Sequence, residues 1–250
     1  MLPTLFFFVT LAVLVSVFVI WKQAKERLYS ESELFDTIIL MILAAIAGAR
    51  ISYILIHFNE FSFHLLRWIT FWVTPGFYLF GGAVGILFVL WYQSRKRRDL
   101  KFWEMVDIVG FAFWIGAIIG LFGWFLAGQE TGIVSRISGA AHPVTLYKLI
   151  VLLIFLSPYI AFRNGNQRED WFHKMPGSVG LSVALLFSVT IVFVDFFKER
   201  VVYYGLSLDQ WVSLVIGIAS FVVLYYRLGR NLKRDITFFL RLLKKLKRTA

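Results

Sequence analysis

What most limits the folds open to this chain is the recurrence of long apolar runs. Seven of them, at about 4–21, 36–58, 76–93, 106–128, 145–162, 177–197 and 209–226, approach or exceed the length of one bilayer crossing. Charged residues make up 16% of the 250 residues, well below the roughly 25% of soluble domains, and mean hydropathy is +0.75. A bilayer offers backbone groups no water, so runs of this kind are read as helices. The expected fold class is an all-α polytopic membrane protein of seven transmembrane helices, residues 1–234 forming one domain and 235–250 a basic amphipathic tail.

Orientation follows from lysine and arginine in the short loops. Three, five, three and nine of them fall after the first, third, fifth and seventh runs, so 20 of the 26 basic residues lie on one side. The N-terminus is therefore expected outside and the C-terminus in the cytoplasm. No cleavable signal peptide is expected, because Met1-Leu2-Pro3-Thr4 enters the first apolar run without a basic segment. The formal net charge of +11 is concentrated beside the runs and in the tail. That distribution points to a membrane surface and away from nucleic acid. In the tail, Phe238, Leu242 and Leu246 recur at helical spacing among Arg241, Lys244, Lys245 and Arg248. Such a helix is expected to lie on the anionic inner leaflet.

The chain has no cysteine, which excludes disulfides, thiol nucleophiles and thiolate metal sites. Its four histidines are scattered, and neither a metal centre nor a cofactor is expected.

Within the fourth run, Ala112, Gly116 and Gly120 recur every four residues and line one helical face, which suits close helix packing in lipid. Two connections on the outer side are long. Residues 59–75 are aromatic and amphipathic and are expected along the membrane interface. Residues 129–144 are small and polar and read as a flexible loop over an external opening.

Arg50 is the strongest single signal. It lies 14 residues after Asp36, roughly 21 Å along the second helix at about 1.5 Å per residue. An arginine at that depth reads as functional, or as one that snorkels outward or pairs structurally. Tyr53 shares its face, and Asp195 is a candidate partner. Asp195 could fix helix register, or leave guanidinium donors for a phosphate. His142, before Pro143 and Tyr147, reads as a general base or as a capping residue. Gly81 and Gly82 permit close backbone approach. They do not form a nucleotide phosphate loop, because no Lys-Ser/Thr follows.

Together these segments resemble the prolipoprotein diacylglyceryl transferase family, bacterial enzymes that move diacylglyceryl from phosphatidylglycerol to a lipoprotein-precursor cysteine. Gly48–Tyr53 (GARISY) resembles the family's Gly-Gly-Arg-x-x-Tyr, and Phe80–Gly82 stands at its His-Gly-Gly. Asp107, Gly116 and Gly120 fall at its fourth-helix spacing. His142–Tyr147 (HPVTLY) resembles His-Pro-Ser-Gln-Leu-Tyr, Val194–Lys198 resembles Val-Glu-Phe-Phe-Arg, and Gln210 and Ser213 lie at the start of its last helix. The resemblance implies that His142 and Tyr147 are catalytic and that Arg50, Tyr53, Gly81, Gly82, Asp195 and Gln210 bind substrate. It implies phosphatidylglycerol and a lipoprotein precursor as partners, in the bacterial plasma membrane.

Departures from the family pattern are specific. Its fourth-helix arginine, two asparagines and glutamate align with Leu121, Trp124, Ala127 and Gln129. Phe80 replaces its histidine, Ile191 a second arginine, and Lys148 the glutamate after His-Pro-x-x-Leu-Tyr. The alternative is a non-catalytic relative that binds lipid or peptide. A small-solute transporter is a weaker third option, since no internal repeat is evident.

Overall fold

The computed structural model describes residues 2–70, 73–97, 99–135, 139–165, 175–199 and 201–230. The tail at 235–250 lies outside them. Seven helices of 17 residues or more occupy the seven apolar runs. They are α1 (Leu2–Glu26), α2 (Glu31–Ile56), α5 (Leu79–Lys96), α6 (Phe102–Leu126), α7 (Val144–Gly165), α8 (Ser178–Val194) and α9 (Leu208–Arg227). Two short helices, α3 (Phe58–Phe61) and α4 (Leu65–Ile69), fall in the connection read as interfacial. Among the described residues, five helices are long and apolar enough to cross a membrane: α1, α2, α6, α9, and α8 continued to Phe197. The 18 residues of α5 end on Gln93, Arg95 and Lys96, and the apolar part of α7, Val144–Ile160, is shorter. The architecture is that of an all-α membrane protein.

Two compact units divide the chain, Met1–Gln129 and Glu130–Ala250. The first pairs α1 with α6 and α2 with α5. Its apolar core lies at one end, where Ile20 and Ala24 of α1 meet Leu34, Ile38 and Met41 of α2, Leu90 of α5, and Met105 and Ile108 of α6. Charged pairs ring that end. Lys25 reaches Glu31 at 3.0 Å, Arg97 reaches Asp36 at 3.2 Å, and Lys101 reaches Glu104 at 3.0 Å. The Tyr29 hydroxyl donates to Glu104 at 2.9 Å. Burial, reinforced by that carboxylate, pushes the Tyr29 phenol up to about 12, so it stays a neutral donor.

Both pairings in this unit use small residues, but not all of those expected. Ala112 is fully buried, and its carbonyl accepts from Ser16 Oγ of α1 at 3.1 Å. A methyl group at Gly116 would meet Ser16, and one at Gly123 would meet Phe8. Gly120 faces open space instead, so the seam with α1 runs through Ala112, Gly116 and Gly123. The α2–α5 seam is tighter. Side chains at Gly48, Gly81 or Gly85 would collide with carbonyl oxygens of the facing helix (Gly81, Gly48 and Ala44), and Gly82 lies against Ala45 and Ala49. Backbone lies on backbone here, the arrangement that small residues permit in lipid.

The second unit opens on an antiparallel pair, β1 (Thr131–Val134) and β2 (Ala141–Pro143), with Thr131 opposite Pro143 and Val134 opposite Ala141. Gly132 bridges on its own account to Lys198. The segment read as a flexible loop is thus partly strand and tied at both ends. Strands this short carry no alternation signal that could reveal them. Pro158 lies inside α7. Helices α8 and α9 pack through Ser188 and Gly217, and a 3-10 turn at Asp195–Phe197 ends α8. The α9 N-terminus carries a full capping box. Ser207 Oγ accepts from Gln210 N–H at 3.2 Å, while Gln210 Oε1 accepts from Ser207 N–H at 3.0 Å.

The glycine seam sets a steric test. Gly81→Val should break the α2–α5 contact and cost about 1–3 kcal/mol or more, because neither backbone can yield as a side chain does. Gly120→Ala should leave stability unchanged. Thermal unfolding of the detergent-solubilised variants measures both.

Candidate active site

Each unit holds a buried charge with a nearly complete set of partners. In the first unit it is Arg50, 7% exposed. Its Nε donates to the Trp68 carbonyl at 3.0 Å. Nη1 donates to the Thr74 and Gly76 carbonyls at 2.7 and 3.1 Å. Nη2 donates to the Arg67 carbonyl at 2.9 Å and to Thr74 Oγ1 at 3.0 Å. A guanidinium has five N–H donors, and all five are used. The Phe61 ring covers the cation at 5.1 Å. Tyr53 works beside it. Its ring stacks on His57 at 4.2 Å and lies against the Gly76 backbone. Arg50 and Tyr53 therefore tie Arg67, Trp68, Thr74 and Gly76 to α2. The glycines Gly81 and Gly82 face α2 and serve the helix seam. Arg50 was expected to offer donors to a phosphate. In this conformation it has none left over.

The second unit's charges lie around the 3-10 turn and the start of α7. Lys148 Nζ donates to Glu130 Oε2 at 3.2 Å, and Lys198 Nζ donates to Glu130 Oε1 at 2.7 Å. Lys148 Nζ also lies 2.9 Å from Asp195 Oδ1, a charge contact whose angle falls short of a directed hydrogen bond. Asp195 is a candidate partner for Arg50 by sequence; among the described residues of its own unit, the cation against it is Lys148. Burial alone would raise the Glu130 carboxyl, but the charges and hydrogen bonds of Lys148 and Lys198 outweigh it and hold Glu130 below its ordinary 4.5. Burial alone would likewise lower Lys198. Glu130, with Asp195 and Asp209 behind it, holds the amine above its ordinary 10.5.

His142 and Tyr147 adjoin this cluster. His142 sits in β2, just before α7, and its Nδ1 lies 3.0 Å from the Tyr147 hydroxyl. The Phe197 ring packs against both, at 5.1 and 5.9 Å. Because Lys148 follows Tyr147 and Lys198 follows Phe197, the aromatic pair and the lysine pair share their backbone supports. If Nδ1–H donates to the tyrosine oxygen, Nε2 is left with a free lone pair and can accept a proton. Gln210, fully buried, gives its Nε2 to the Val192 carbonyl at 2.8 Å and so fixes α9 to the end of α8. One amide N–H serves that support and the amide oxygen serves the cap. Among the described residues, no group of three or more histidine and carboxylate side chains is placed to hold a metal ion.

The sequence singles out His142, Tyr147 and Asp195; it marks Lys148 only as a departure from the family pattern and Lys198 only as part of Val194–Lys198, and gives no role to either or to Glu130. The available signal was charge balance: two lysines and two carboxylates in otherwise apolar surroundings, each pair too far apart in sequence to be read as a motif.

The family model described as prolipoprotein diacylglyceryl transferase matches residues 6–226, and the chain belongs to that family. It is similar to the phosphatidylglycerol–prolipoprotein diacylglyceryl transferase of Finegoldia magna, 28% identical over 224 residues, covering 86% of this chain and 87% of that one. The enzymes of the same name from Ligilactobacillus salivarius and Streptococcus pneumoniae are each 22% identical. The first match covers 86% of this chain and 85% of its relative, the second 85% of each.

Arg50→Lys keeps the charge but offers three donors where five are used. It should destabilise the protein by about 3 kcal/mol or more, since hydrogen bonds to charged groups contribute roughly 1.5–3 kcal/mol each. Faster proteolysis between Ser62 and Gly76 would register the loosened loop.

The ion cluster also sets a pH window. Glu130 is lowered, so its contribution is present above 4.5 and lost as pH falls through its folded value. Lys198 is raised, so its contribution is complete below 10.5 and lost as pH climbs through its higher folded value. The groups facing them are Lys148 of α7, Asp195 of the 3-10 turn and Asp209 of α9. Melting temperature followed across pH should show a plateau between these limits. Glu130→Gln should flatten its acid edge.

Proposed function

We propose that this protein transfers diacylglyceryl from phosphatidylglycerol to the cysteine thiol of a lipoprotein precursor, at the outer leaflet of a bacterial plasma membrane. One observation carries it: the His142–Tyr147 hydrogen bond beside the Lys148–Lys198 pair, in a chain of this family. The names of the three relatives support the substrates.

The reaction exchanges a carbon–oxygen bond for a carbon–sulfur bond and moves one proton. The cysteine sulfur attacks the glycerol carbon that carries the phosphate and forms a thioether. The carbon–oxygen bond breaks, its electron pair stays on the phosphate oxygen, and glycerol phosphate departs. The thiol proton goes to a base, and His142 Nε2 serves when Tyr147 holds Nδ1. Positive charge at the leaving phosphate stabilises the transition state. Asp195 and Gln210 position this end of the unit. Arg50, Tyr53, Gly81 and Gly82 act through the α2–α5 pair and its loop. Seven helices cross the membrane with the N-terminus outside, the connection from α3 to α5 lies in the interface, and the basic tail binds the anionic inner leaflet.

In cells depleted of their own transferase, this chain should restore lipidation of a reporter lipoprotein, and His142→Gln should lower the rate about 10²–10⁴-fold. An inserted, folded protein that leaves the reporter unmodified would overturn the assignment.

A further inference from the structure

We propose that Lys148 and Lys198 bind the phosphodiester of an anionic lipid headgroup, and that Glu130 is the resident anion which this phosphate displaces. The substrate assignment rests on the function proposed above, whereas the anion exchange rests on geometry.

Glu130 is held by both of its oxygens, one on each lysine. A phosphodiester also presents two equivalent charged oxygens and can take the same two donors. Charge balance supports the exchange. Among the described residues, the two lysines pair directly with two carboxylates when Glu130 is in place, and these four groups balance, while Asp209 acts on Lys198 without a direct ion pair. With Glu130 turned out, Lys148, Lys198 and Asp195 carry one net positive charge, which one phosphodiester cancels.

The two carboxylates differ in their freedom to leave. The Asp195 side chain is 3% exposed and anchored at the end of α8, so it remains with Lys148. The Glu130 side chain is 25% exposed. It stands beyond the end of α6 on a left-handed backbone, φ 56°, two residues after Gly128 at φ 65°. It can reach water by side-chain rotation alone. Without Glu130, two partly buried ammonium groups would face one carboxylate, and an unbalanced buried charge is costly. The internal carboxylate removes that cost until an anion arrives. Arg50 does not compete for this role, because its five donors are committed.

The full-length protein in phosphatidylcholine nanodiscs would be titrated with short-chain phosphatidylglycerol and, separately, with inorganic phosphate. Glu130→Gln should tighten phosphatidylglycerol binding about tenfold, since the competing anion is gone. Lys198→Gln and Lys148→Gln should each weaken it about tenfold, and Lys148→Arg should restore it. Lys198 is the more exposed lysine, so its variant remains informative if the Lys148 variant fails to fold. Unchanged or weaker binding by folded Glu130→Gln would overturn the exchange, as would unchanged binding by Lys198→Gln. Phosphate binding as tight as the lipid's would overturn the lipid headgroup as ligand. Should the binding pattern hold while no lipoprotein is modified, the transferase assignment fails and the cation site stands. Lipidation with binding indifferent to all three residues gives the converse.

Discussion

A charge withdrawn from water must bring its partners with it, and the two units of this protein meet that constraint in different ways. In the first unit the partners are main-chain carbonyls. Arg50 collects four of them and a threonine hydroxyl from Arg67, Trp68, Thr74 and Gly76. In the second unit the partners are opposite charges, two lysines against two carboxylates, assembled from a helix end, a helix start and a 3-10 turn. Carbonyl partners tie those residues to α2. Ionic partners of unequal exposure make an arrangement with one member free to leave.

Much of the fold was legible in the sequence because hydropathy acts over whole helices. Each apolar run became a helix, and some helices extend past their runs into charged residues, such as α2 back to Glu31 and α5 on to Lys96. The small-residue ladder in α6 was legible except at Gly120, because spacing fixes a face but not the line that the neighbouring helix takes across it: α1 touches Gly116 and Gly123 and passes Gly120 by. The strands β1 and β2 were not legible, being too short for any period to show. Arg50 stood out in the sequence with its alternatives open, and its partners did not, since main-chain carbonyls carry no sequence signature.

The ion cluster illustrates a different limit. Glu130 and Lys198 are separated by 68 positions and meet only because α7 and α8 lie between them. Lys148, which stands where the family pattern has a glutamate, looked from the sequence like the loss of a function. In the structure it is the counter-ion of Asp195. A site can keep its electrostatic balance while the residues that carry each sign change places, so aligned positions taken one at a time misjudge it.

The glycine seam between α2 and α5 has a consequence for how the chain can vary. Glycine is the smallest residue available, so positions 48, 81 and 85 admit no substitution that relieves crowding, only ones that increase it. Sequence drift in α5 is thereby confined to its opposite side, where Val84, Leu87 and Phe88 are exposed and one bulky apolar residue can stand in for another. The helix has an inner register that is frozen and an outer surface that is nearly free. A bilayer of different composition can be accommodated by rewriting the second without disturbing the first.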